Sequence, residues 1–141
     1  MSFTGNYSCN TLRSGLASGS FNFSSNTFYM ALYTNAATLD ASTAAYTSTG
    51  EATGGNYVAG GQVVTATIGT DATSSGSTTY INFSSPSWTG SITARGALIY
   101  QSGGGNPAVC VLDFGSNKTS SSTFTVQMPQ NTASSALIRL T

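Results

Sequence analysis

The chain has 141 residues, four cations, four anions and no histidine, so the residue types that most acid–base and metal chemistry needs are scarce or missing. Its formal charge is zero and no basic cluster exists; backbone recognition of nucleic acid needs Lys and Arg to displace counterions, so nucleic acid is not an expected partner. The length fits one domain, residues 1–141, and aromatic and aliphatic residues run along all of it, which a disordered chain would lack.

Residues 1–26 read as an arm with at most one short helix. Leu12 and Leu16 stand at i, i+4 and Asn10 is the candidate cap, while Gly15, Gly19 and the serines between them weaken the segment. From residue 27 the apolar pattern has a period of two, the mark of half-buried strands. Residues 27–33 set Phe28, Met30 and Leu32 against Tyr29 and Tyr33. Residues 35–61 form a 27-residue excursion, too long for a hairpin loop, with one short strand expected around Tyr57. Residues 62–68 alternate as a single strand, and 78–83 set Ile81 and Phe83 against Tyr80 and Asn82. The stretches 91–100 and 108–114 are continuously apolar, as central strands buried on both faces would be. Residues 123–128 place Phe124, Val126 and Met128 together, and 136–141 turn Ile138 and Leu140 inward. Turn formers fill the intervals. The expected fold is all-β: a single antiparallel β-sandwich, jelly-roll-like or immunoglobulin-like, of about seven or eight strands.

The N-terminal residues lack the charged and apolar regions of a secretory signal, and no apolar run is long enough to cross a bilayer. Synthesis in a cytoplasm, without a membrane partner, is the expectation. Cys9 and Cys110 are expected to stay free thiols.

Without histidine neither a Ser/His/Asp nor a Cys/His nucleophile is available, and two lone cysteines do not make a zinc site. No enzyme activity, metal or cofactor is therefore expected. Asp40 and Asp71 fall in loops and suit Asx turns, and Glu51 is read as a solvated or hydrogen-bonding group. Asp113 lies inside an apolar strand, where an ion-pair network with Arg95 and Arg139 holding sheet register is preferred to catalysis. The tracts Gly54-Gly55 and Gly103-Gly104-Gly105 are turns, since neither precedes a helix or carries the lysine of a phosphate loop. Trp88 has two readings, packing in the core or at a subunit interface, or stacking on a sugar, and the first is favoured. Tyr46, Glu51, Tyr57 and Trp88 are the candidate interface residues.

One motif string points further. Phe21-Asn-Phe23, Asn26-Thr-Phe-Tyr-Met-Ala-Leu-Tyr-Thr34, Tyr46, Glu51 and Asn56-Tyr-Val-Ala-Gly-Gly61 are followed by Pro86-Ser-Trp88 and Thr93-Ala-Arg-Gly-Ala-Leu-Ile-Tyr100. Ala108-Val-Cys-Val-Leu-Asp-Phe-Gly115 and Ala136-Leu-Ile-Arg-Leu140 complete it. Across nearly the whole chain this resembles a family of small structural proteins of tailed bacteriophages. The resemblance implies a virion component, assembled in the host cytoplasm, with no catalytic residues. Together with the composition it suggests a capsid decoration (cement) protein, a homo-oligomer and probable trimer by expectation, that bridges major capsid protein subunits or binds other virion proteins. A tail, neck or fibre-base component is the alternative, and a carbohydrate-binding module is a further one that requires exposed Trp88.

Overall fold

Alternating side chains need a cover on each face that is apolar, and most of the architecture follows from which strands are apolar on both. The structure, a computed structural model, describes residues 3, 5–71 and 78–140. In chain order these form β1 (Tyr7–Ser8), α1 (Asn10–Ser18), β2 (Phe28–Tyr33), β3 (Gln62–Val64), β4 (Ala66–Thr70) and β5 (Thr79–Phe83), followed by β6 (Ser87–Thr89), β7 (Thr93–Gln101), β8 (Ala108–Thr119), β9 (Thr123–Thr125) and β10 (Ile138–Leu140). Three antiparallel sheets result, ordered β1-β8-β7-β2-β3, β10-β5-β4 and β6-β9. The fold is all-β and sandwich-like.

The main core lies between the five-stranded sheet and the two smaller ones. Phe28, Met30, Leu32, Ala97, Ile99 and Leu112 meet Ile81, Phe83, Trp88, Phe124, Val126 and Ile138 there. Phe23 stacks on Phe28 with centroids 4.9 Å apart, and Phe83 meets Phe28 edge-on at 5.7 Å, the two geometries that ring quadrupoles favour. Ala31, Tyr33, Leu98, Tyr100 and Val111 occupy the opposite face of the large sheet, under Phe3, Cys9, Ala37 and Leu39. The middle strands are thus buried on both faces, as their continuous apolar runs require. The excursion 35–61 supplies most of that second cover.

Several boundaries differ from the sequence reading. The alternation over 62–68 hides a change of partner: β3 pairs with β2, β4 pairs with β5, and the chain crosses between sheets at Thr65. Burial still alternates through the crossing, so periodicity cannot register it. β1 and β6, two and three residues long, are too short to show a pattern. No strand forms at Tyr57; the excursion instead makes isolated bridges, Tyr33 to Glu51 and Ala45 to Pro107. β8 runs on to Thr119, and residues 114–117 bulge out opposite Arg95. Leu140 is not inward but 44% exposed, because β10 is an edge strand.

The helix is longer than a single turn. Cys9, not Asn10, holds the cap position and makes no side-chain capping bond. Its stability comes from packing: Leu12 is buried and Thr11 Oγ1 donates to the Ala108 carbonyl at 2.6 Å. Gly15, unfavourable by helix propensity, is needed because a Cβ there would come within 2.3 Å of the Phe21 ring.

Cys9 and Cys110 are both buried and free. Ser8 lies opposite Cys110 in the β1–β8 ladder, so Cys9 faces the other side of the sheet, and the thiols fall in separate cores. A disulfide cannot form without breaking the ladder. Burial pushes the Cys9 thiol up to about 11 and raises that of Cys110 as well. Both thiols are expected to resist a disulfide reagent in the native protein at neutral pH and to react together on denaturation; rapid native labelling of either would contradict this placement.

Gly61, at φ +85°, leads from the excursion into β3, and a Cβ there would stand 1.8 Å from the Met30 carbonyl oxygen. Gly61→Ala is expected to cost more than about 2 kcal/mol in denaturant unfolding, combining left-handed strain with displacement of backbone.

Candidate functional site

Glu51 sits near the end of the excursion, where the chain runs back beside β2. The Ala52 N–H donates to the Leu32 carbonyl at 2.9 Å and the Thr34 N–H to the Gly50 carbonyl at 2.8 Å. This brings the carboxylate over the outer face of the large sheet. Tyr46 Oη donates to its Oε1 at 2.6 Å, while Tyr57 Oη and the Gly60 N–H donate to its Oε2 at 2.6 and 2.7 Å. The Tyr57 hydroxyl also accepts the Leu32 N–H at 2.9 Å. Tyr100 Oη donates to the Gly60 carbonyl at 2.6 Å, and its ring stacks on Tyr46 at 4.9 Å. Tyr33 Oη donates to the Thr47 carbonyl at 2.6 Å. One carboxylate and four phenols therefore clasp the excursion to β2 and β7.

Three of the four residues named as interface candidates from sequence meet here, but turned towards one another. Tyr46, Glu51 and Tyr57 are half-buried within the clasp. Trp88 is a correction: it is 2% exposed and packs in the main core, its ring 5.6 Å from that of Tyr57. It offers no surface to a partner or a sugar, which removes the premise of the carbohydrate-binding alternative. Its burial follows from its place on β6, whose pairing with β9 sets it opposite the buried Phe124. Tyr33, Gly60 and Tyr100 were not singled out in the sequence; the tyrosines at alternate positions on β2 and at the end of β7 were the signal available.

The clasp suits cohesion better than catalysis. The groups bonded to Glu51 include no second acid, whereas glycoside hydrolysis needs two carboxyls flanking a bond. Among the described residues no group of three or more His, Cys, Asp or Glu is placed to hold a metal, and no helix is long and apolar enough to cross a membrane. Burial first, then Glu51 as bond partner or negative neighbour, raises the phenols of Tyr46, Tyr57 and Tyr100, the last to about 12. Tyr33 is raised chiefly by burial.

The Arg95–Asp113 ion pair forms, with the side chains only 12% and 13% exposed. Adjacent strands bring the two together, since Gly96 lies opposite Asp113 where the β8 bulge begins. Asp113 Oδ1 also accepts the Gly115 N–H at 2.8 Å, and the Asp113 N–H donates to Asn6 Oδ1 at 2.6 Å. The Arg95 guanidinium lies 5.6 Å from the Phe3 ring centroid, a cation–π contact that ties in the arm. Arg139 does not join this network. It stands on β10, in another sheet, and donates to the Ser134 carbonyl at 3.0 Å. Asp40 forms the expected Asx turn, accepting the Ser42 hydroxyl and N–H at 2.6 and 2.8 Å, and these bonds hold its carboxyl below the usual range. Most of the loop after Asp71 lies outside the described residues. No protein family, curated protein or solved structure matches the chain.

Replacing the carboxylate tests the clasp. In Glu51→Gln one phenol faces an N–H in place of an acceptor, with an expected loss of about 1–3 kcal/mol in urea unfolding. Tyr57→Phe strands the Leu32 N–H and is expected to cost about 1–2 kcal/mol. Equal stability of both variants and wild type would show that the clasp holds nothing. The raised phenols also set a pH limit. Unfolded tyrosines lose protons near 10, and the folded ones retain theirs longer, so this contribution is complete below about pH 10 and is lost as pH climbs towards 12. Base titration monitored by circular dichroism should show unfolding in that window, at lower pH for Glu51→Gln.

Proposed function

We propose that this protein is a non-enzymatic structural subunit of a tailed-bacteriophage particle, packed on the head as a decoration (cement) protein. The observation that carries the reading is where the few charges go. Of eight formal charges, Arg95 and Asp113 neutralise each other inside the fold, and the clasp takes up Glu51. What remains outside is mostly hydroxyl, amide and glycine. Such a surface loses little hydration energy when copies pack closely, because the desolvation penalty of burying ions is largely absent. It also carries little of the net charge that keeps free proteins apart.

The sheets add a second support. β1, β3, β4 and β10 are edge strands, and an uncovered strand edge is an association site. In this reading, contacts with the major capsid protein and with further copies, arranged as a trimer, cover those edges. The motif resemblance supports the same assignment, and no matched family adds to it.

Quantitative mass spectrometry of purified particles, with a density map of the intact virion, tests the proposal. Stoichiometry following the head lattice, and density on its outer surface, are expected. Copies confined to the symmetric rings of tail, neck or fibre base would move the protein there, and absence from the particle would overturn the reading.

A further inference from the structure

On the side where β1 and β10 form the edges of the facing sheets, the sandwich is open. A groove of about 670 Å³ runs between α1, β1, β8 and β10. Leu12, Leu16, Leu112 and Ile138 contribute its apolar lining, and Leu140 stands in it 44% exposed. Arg13 and Arg139 also line it, and no acid does. Two of the four cations of a formally neutral chain are thus gathered at one groove. Both guanidinium groups are held by neutral acceptors: Arg13 donates to the Ser8 carbonyl at 3.0 Å, to Ser8 Oγ at 2.6 Å and to Asn10 Oδ1, and Arg139 donates to the Ser134 carbonyl. The ion pair between Arg95 and Asp113 involves neither.

Three properties coincide: an apolar lining, fixed positive charge without acid, and strand edges hydrogen-bonded on one side only. We propose that this groove binds an extended segment of a partner protein in which apolar residues alternate with Asp or Glu. The period of two in a strand separates the two kinds of side chain, so the apolar set lies on the leucines while the carboxylates meet Arg13 and Arg139 in charge-assisted bonds. The segment's backbone adds to the edge of β10, the mode in which main-chain bonds supply affinity and alternate side chains supply specificity. A single-headed fatty acid would use the apolar lining but leave the strand edge unused. A second copy does not supply the segment, since nowhere in this chain do acids alternate with apolar residues. The proposal does not depend on where the protein resides.

The test uses the full chain, isotope-labelled for amide NMR, and a short end-capped synthetic peptide alternating valine and glutamate. Saturable shifts at Ile138, Arg139, Leu140 and along α1 are expected, weakened by salt. Arg13→Gln/Arg139→Gln should lower affinity by about tenfold or more. Both side chains are exposed, so the variant should fold; its amide dispersion checks this, and Leu140→Asp, which puts negative charge in the groove and leaves both arginines intact, should give a comparable loss. Absence of shifts at the groove overturns the proposal, as does equal binding of a valine–lysine peptide. Unchanged affinity in both variants, or binding of dodecanoate there without the glutamate peptide, overturns it too.

Discussion

The middle of the five-stranded sheet is apolar on both faces, so it needs two covers. One cover is regular: β10-β5-β4 and β6-β9 bury their own alternate side chains against it. The other is an irregular stretch of chain. Irregular backbone has no ladder to satisfy its polar groups, and an unpaired buried N–H or carbonyl costs about as much as a lost hydrogen bond. The second cover therefore depends on individually placed acceptors and donors. Glu51 is the chief of these, binding the tyrosines at 46 and 57 and the Gly60 amide, while Tyr57 in turn caps the Leu32 N–H of β2.

A carboxylate serves this purpose because it is an acceptor on both oxygens and makes stronger bonds than a neutral partner, about 1.5–3 kcal/mol net against about 1. Phenols serve because their rings add apolar area while their hydroxyls reach a polar target. The combination needs no cation, which suits a chain so poor in charge. The Arg95–Asp113 pair plays the corresponding part at the other end of the large sheet, closing the β8 bulge and holding Phe3 and Asn6 of the arm. Each of these charges lies where irregular chain meets the sheet.

Such placement leaves the exterior with little electrostatic character except at the open groove. A surface of this kind favours contact with neighbours through shape and backbone edges, and the groove with its two arginines is the exception that carries sign. Packing into an assembly and capture of an acidic strand draw on different parts of the surface and can operate together.

Composition and periodicity alone determined the all-β class, the strands around Phe28, Ile81, Leu98 and Val111, and the double burial of the central pair, because burial on one or both faces is written directly in alternation. The scarcity of histidine and acid likewise indicated cohesion before chemistry. Tertiary structure decided the rest. Alternation continues unbroken through Thr65 although the chain changes sheets there, since a period of two specifies which way a side chain points and not which strand lies beside it. Glu51 and Tyr46, five positions apart in an irregular segment, have no period by which to be paired. Trp88 and Arg139 show the same limit. Their types suggest a surface platform and an ion-pair partner, and only the sheet in which each strand is placed turns one into core and leaves the other beside an open groove.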